Sequence, residues 1–325
     1  MRELKFKNSA SNSKTSRAFV WPMLGVALGA ASFVWWASSS DQWQSWLQKK
    51  ESSPQTIAAF SKQVPVQLPA PHCDVLLNFF GRLDDLPSSQ SWLETTQNLY
   101  THEDAEVRFC GRLITAVWAE ECADRDGRAT CQLLDPDTYD QVWMQPAWPA
   151  AQQVDVVLTD SGLANTRNGL VFIDRQARGR VLAHELGHTL GLADEYPMSR
   201  DLAERFCAGE FDFSALNMII TDRQELTTAE LVSLTQTLPW VQHLQQPIAQ
   251  KRAENVWQLG STDPLRVGLH PVATCEDTGF YAWRPVGYVT LMQQHEVGQM
   301  PNVYLRLMQT RLNKKASDTT GLDSD

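Results

Sequence analysis

The chain has 325 residues, 43% of them hydrophobic, enough for one large or two small globular domains with a real core. Its net charge of −10, with no Lys/Arg cluster in the globular part, argues against a nucleic-acid partner, because phosphate binding needs a basic face. The acidity reads as a well-solvated surface.

Residues 1–17 carry Arg2, Lys5, Lys7, Lys14 and Arg17 against a single acid, Glu3. Residues 18–37, AFVWPMLGVALGAASFVWWA, contain no charge at all. A helix of that length spans about 30 Å, the hydrocarbon thickness of a bilayer. Trp21, Trp35, Trp36, Trp43 and Trp46 sit where amphipathic rings suit the water–lipid boundary. Positive flanks stay in the cytoplasm, so the sequence predicts a cytoplasmic tail (1–17) and one transmembrane signal-anchor helix (18–37) in the inner, cytoplasmic membrane. The rest of the chain is then extracytoplasmic, in the periplasm. A cleaved signal peptide is the rival reading, since Ala37-Ser38-Ser39-Ser40 offers small residues, but the run exceeds the roughly 7–15 residues of such a segment.

Residues 38–70, rich in Ser, Gln and Pro, read as a linker. A globular domain is predicted over 71–312 and a polar, disordered tail over 313–325. Within the domain, Cys73–Phe80 reads as a buried strand and Ser88–His102 as a helix. Arg112–Glu120, Val154–Asp160 and Leu170–Asp174 read as further strands, the last after a turn signal at Asn165 to Gly169. Ala177–Leu190 is a strong helix, with Leu182, Leu186 and Leu190 at i+4 spacing. Helices are also expected over Thr227–Leu238 and Val303–Leu312. Strands first, then one helix, then a mostly irregular half: the pattern is α+β.

The six cysteines, Cys73, Cys110, Cys122, Cys131, Cys207 and Cys275, fit three disulfides on the oxidising side of a membrane. No Cys-x-x-Cys pair exists, so neither a thiolate zinc site nor a thioredoxin-type site is supported. Cys122 and Cys131 flank a polar stretch and make the simplest local staple.

Residues 184–196 read HELGHTLGLADEY. Residues i and i+4 share a helix face, so His184 and His188 can offer two imidazoles to one metal ion. Glu185 projects beside them as a base for a zinc-activated water. Gly191 can leave the helix through a left-handed conformation and return the chain toward the metal. That brings Asp194 into range as a third ligand. The remaining histidines, His72, His102, His243, His270 and His295, are scattered and read as surface or satisfied core residues.

The pattern His184-Glu185-x-x-His188-x-x-Gly191-x-x-Asp194 resembles the elongated zinc motif of the metzincin metallopeptidases, in the variant where Asp replaces the third His. Leu192-Ala193-Asp194-Glu195-Tyr196 resembles more specifically the IgA-peptidase-type family. The resemblance implies a metzincin-like domain with a twisted mixed sheet and one Zn2+ per chain. It also implies that Gly169, Leu170, Val171 and Phe172 belong to an antiparallel edge strand along which a peptide substrate lies. The segment Tyr281, Arg284-Pro285 and then Met292 is similar to the part of the family that places a methionine beneath the metal, which favours Met292 over the competing Met218, in an apolar run that reads as core, and Met300, before Pro301. Some metzincins carry a Tyr two positions after that Met; here the position is Gln294. A Cys207–Cys275 disulfide would tie the segment after the zinc helix to the one leading into Met292. The expected function is a membrane-anchored endopeptidase acting on extracytoplasmic proteins. The alternatives are a hydrolase of cell-wall peptide stems and an inactive scaffold subunit at the membrane.

Overall fold

Six strands form one sheet in the computed structural model, which describes residues 62–66, 73–115, 122–125, 127–131, 150–167 and 169–320. The strands are β1 (Lys62–Pro65), β2 (Cys73–Gly81), β3 (Phe109–Thr115), β4 (Ala150–Thr159), β5 (Asn165–Arg167) and β6 (Leu170–Asp174). Their order is β1-β3-β2-β4-β6-β5. The four inner strands are parallel, and β1 and β5 run antiparallel at the two edges. The expected tail (1–17), membrane helix (18–37) and most of the linker lie outside the described residues. Among the described residues no helix is long and apolar enough to cross a membrane.

The helices are α1 (Leu86–Leu99), α2 (Gly179–Thr189), α3 (Arg200–Cys207), α4 (Thr228–Thr237) and α5 (Asn302–Thr320). Alternate residues of the sheet, Val75, Leu77 and Phe79 on β2 and Val154, Val156 and Leu158 on β4, face one apolar core. Trp92 and Leu93 of α1 and Leu182 and Leu186 of α2 fill that core from the other side. The intervening positions Leu76, Asn78 and Phe80 on β2 and Asp155 and Val157 on β4 are buried as well, which is why these parallel strands read as near-continuous apolar runs. A polar row crosses that second face: Arg112 Nε donates to Asn78 (2.7 Å), and Asn78 donates to Asp155 (2.6 Å). Burial pushes the Asp155 carboxyl up to about 6. The second half forms two three-stranded sheets, one of Ile219–Thr221, Tyr281–Arg284 and His270–Val272, the other of Glu225–Leu226, Val256–Leu259 and Ala249–Ala253. The whole is a mixed α+β architecture.

Several expected boundaries change. The sheet reaches back into the predicted linker, because Lys62–Pro65 pairs along Arg112–Thr115. The strand expected from Arg112 begins at Phe109, and its stretch beyond Thr115 lies outside the described residues. Gly111 fits there because a Cβ would meet Leu93 at 3.1 Å. The tail expected to be disordered from Asn313 instead continues α5 to Thr320. Lys314, Lys315 and Ala316 are good helix formers, and Lys315 bonds to Gln152 of β4.

Two disulfides, Cys73–Cys110 and Cys207–Cys275, are formed. Cys122 lies opposite Cys131 in the register of a hairpin, while their side chains lie outside the described atoms. Cys207–Cys275 closes a separation of 68 residues and ties α3 to the turn before Tyr281–Arg284. Peptide mapping without reduction is expected to recover both described pairs. Alkylation of these four thiols in the unreduced native protein would contradict them.

Candidate metal centre

Helix α2 follows β6 after a short connection, with its Leu182, Leu186 and Leu190 in the core. The same helix carries His184 and His188 one turn apart, their rings 4.9 Å apart and nearly perpendicular. The chain leaves α2 through Gly191 at φ +100°. Leu192 N–H donates to Gly187 O (2.9 Å) and Gly191 N–H to His188 O (3.0 Å), the paired bonds of a Schellman end. Glycine suits this turn because the φ is left-handed; a Cβ would also stand 2.0 Å from Arg311 Nη1 and oblige that guanidinium to move.

The turn delivers Asp194. Its Oδ1 lies 3.2 Å from His184 Nε2 and 3.2 Å from His188 Nε2. The Nδ1 atoms of the two rings are already engaged, each 3.0 Å from a backbone carbonyl, Leu291 O for His184 and Leu192 O for His188. In the neutral rings those contacts place the proton on Nδ1 and turn the Nε2 lone pair toward Asp194. Asp194 Oδ1 is itself buried without a hydrogen-bond donor. Three potential ligand atoms thus converge around a carboxylate, an arrangement that calls for positive charge among them, from a proton on an imidazole or from a metal ion in its place. Burial opposes a charge on His188, but Asp194 outweighs it and raises the imidazolium to about 9. Despite its own burial, Asp194 is held well below the usual carboxylate range by the two imidazoles. Tetrahedral ligands at ~2.0–2.1 Å from an ion stand about 3.3 Å apart, so the observed separations suit zinc. His184, His188 and Asp194 are the residues able to hold a metal ion among those described.

Glu185 lies in the same cleft and is held by an unexpected partner. Thr166 of β5 donates to Glu185 Oε2 at 2.7 Å. The residues Asn165 to Arg167 had read as part of a turn, but they form the edge strand. This corrects the expected edge: Leu170, Val171 and Phe172 are fully buried between β4 and β5. Gly169, at φ +81°, belongs to the reversal that folds β5 back onto β6, and it lines the cleft. The hairpin partner covers what the sequence suggested was open.

Met292 is fully buried under the site, its Sδ 2.6 Å from a Cβ built on Gly187 of α2. Its carbonyl accepts from Glu195 N–H at 3.0 Å. Glu195 points away from the three ligand atoms and is completely buried. It accepts from Asn217 (2.6 Å), Arg284 (2.8 Å), Thr290 (2.5 Å) and the Tyr304 hydroxyl. Asn217 also brackets Ala193, accepting from its N–H (2.8 Å) and donating to its carbonyl (3.0 Å). The residues on both sides of Asp194 are therefore fixed. Tyr196, 41% exposed, donates to Asp194 Oδ2 at 2.9 Å. His295 comes within 5.8 Å of the His184 ring, but its Nε2 faces Glu296 and it stays out of the ligand set. His102 and His270 bond backbone carbonyls.

Thr166, Asn217 and Tyr304 were not found from the sequence, nor was the contact of Tyr196 with Asp194. None lies at a fixed spacing from the motif except Tyr196, two positions past Asp194. The site opens into a cleft of about 970 Å³. Compared with known proteins, the chain matches no family model and no curated protein.

Proposed function

We propose that the protein is a zinc-dependent endopeptidase with a metzincin-like domain. The observation that carries this reading is the convergence of His184 Nε2, His188 Nε2 and Asp194 Oδ1 beside a carboxylate with its own positioning partner. Zinc held by His184, His188 and Asp194 would supply Lewis acidity toward water and a peptide carbonyl. Glu185 takes the proton of the attacking water and returns it to the departing amine. The Thr166 hydroxyl keeps that carboxylate at the cleft. An extended substrate pairs along β5, where backbone hydrogen bonds provide affinity without a required sequence. Met292 supports the helix from below and touches no reacting atom.

The uncharged run at 18–37 and its basic flank support a membrane anchor with the catalytic domain in the periplasm. An inactive scaffold has no use for a base held beside a ligand set, so Glu185 with Thr166 disfavours that alternative.

The purified full-length protein is expected to hydrolyse a generic unfolded protein, to stop with chelator, and to recover with added zinc. Asp194→Ala is expected to weaken zinc binding by more than the roughly 10–100-fold that outer-shell partners cost. Metal analysis checks this, and an Asp194→Ala protein with unchanged zinc affinity would remove Asp194 from the ligand set.

A further inference from the structure

Asp194 presents its two oxygens to different neighbours. Oδ1 faces His184 Nε2 and His188 Nε2, each at 3.2 Å, while Oδ2 accepts from the Tyr196 hydroxyl at 2.9 Å. That division matters to any metal held at the site. A carboxylate can bind a cation through one oxygen or through both. A catalytic zinc site keeps one of its four positions for water or substrate. A carboxylate that turned both oxygens to the ion would crowd the place the chemistry needs.

The backbone around Asp194 is held without any help from Tyr196. Asn217 brackets Ala193, Thr274 Oγ1 donates to the Asp194 carbonyl at 3.0 Å, and Glu195 N–H donates to the Met292 carbonyl at 3.0 Å. These contacts fix the Asp194 main chain and leave its carboxylate free to turn about the side-chain bonds. Tyr196 contributes little to the core. It is 41% exposed, lines the cleft, and lies in the irregular stretch between the buried Glu195 and α3, just ahead of Pro197. Its ring stacks toward the His184 imidazole, with 21° between the planes and 6.4 Å between the centroids. The hydroxyl thus reaches the carboxylate from the cleft side, on the oxygen that the imidazoles do not face.

We propose that Tyr196 is a positioning residue whose hydroxyl holds Asp194 Oδ2, so that Oδ1 alone faces the metal and a position is kept for water and the substrate carbonyl. This rests on reading His184, His188 and Asp194 as metal ligands, but not on the reaction being peptide hydrolysis. Outer-shell donors of this kind orient a ligand and draw off part of its charge. Here the donor offsets some of the negative charge that an Asp brings to the site in place of a third His.

Tyr196→Phe removes the hydroxyl and keeps the ring beside His184. The test uses full-length protein in detergent, either metal-free, or loaded with zinc or with cobalt(II) as a spectroscopic probe. Zinc affinity, read by competition with a chromophoric chelator, is expected to fall about 10–100-fold. The visible absorption of the cobalt protein is expected to weaken, because Oδ2 becomes free to turn to the ion and five-coordinate cobalt(II) absorbs less than four-coordinate. The Tm of the metal-free protein is expected to be unchanged, since the backbone is held elsewhere. An unaltered zinc affinity overturns the proposal, and so does a cobalt spectrum that superimposes on that of the unsubstituted protein. A lowered Tm of the metal-free variant assigns the hydroxyl to folding and overturns it too. If both metal effects appear in a protein that hydrolyses no peptide, the peptidase reading falls and the role of Tyr196 stands. Zinc-dependent hydrolysis with neither metal effect does the reverse.

Discussion

Glu185→Ala is expected to keep about one zinc per chain and to lose turnover by at least about 10²–10⁴-fold, the usual contribution of a general base. The separation of the two effects follows from the geometry. Glu185 contributes no atom to the converging set, which consists of His184 Nε2, His188 Nε2 and Asp194 Oδ1. Its carboxylate is turned to Thr166 instead. Removing it leaves both imidazoles fixed through their Nδ1 contacts with Leu291 and Leu192. Zinc content by metal analysis and turnover on an unfolded protein check the two halves separately. A variant that cleaves at the normal rate ends this mechanism. A variant that is inactive only because it has lost its metal reassigns Glu185 to a role in holding the ion.

The second large effect is on stability. Glu195→Ala is expected to cost about 3–5 kcal/mol, because it leaves the Arg284 guanidinium buried without its counter-charge. Arg284 is 4% exposed and Glu195 is fully buried, so water cannot replace the lost partner. The Thr290 and Tyr304 hydroxyls and the Asn217 amide lose an acceptor at the same time. For a domain of this size the loss corresponds to a fall in Tm on the order of 10 °C. Calorimetry or urea unfolding measures it. Replacing Arg284 by Leu in the same protein should recover part of the loss, since the orphaned charge disappears. Folded Glu195→Ala protein is expected to bind zinc still. A Tm unchanged by Glu195→Ala would show that the buried pair contributes nothing to stability.

These two acids show how much of the site was legible. Glu185 and Glu195 are both glutamates within or beside the motif, and spacing separates their surroundings: Glu185 lines the cleft beside Thr166, while Glu195 is buried against Arg284. What each one bonds was not visible. The helical period placed His184 and His188 together because i and i+4 share a face whatever surrounds the helix. Gly191 announced the turn because few other residues tolerate a left-handed φ there. The apolar runs announced the inner strands for a comparable reason, since a strand buried on both faces has no polar side to show.

The edge of the sheet was misplaced. Burial and hydrophobicity identify Leu170–Asp174 as a strand but not which neighbours it acquires. Antiparallel pairing set Asn165–Arg167 against it and moved the edge outward by one strand. Local propensity also could not foresee that α5 would run past Leu312, where Lys315 meets Gln152.

The sequence by itself therefore determined which side chains converge, the spacing of His184 and His188 on one helix and the turn that returns Asp194. All of these follow from backbone geometry over a dozen residues. Only the tertiary structure decided what locks them. The Leu291 carbonyl that orients His184 is 107 residues away, and the Tyr304 hydroxyl that holds Glu195 is 109 away. Such partners are chosen by where the chain path brings a donor or acceptor, and almost any backbone carbonyl or hydroxyl qualifies. Residue type and spacing carry no record of that choice.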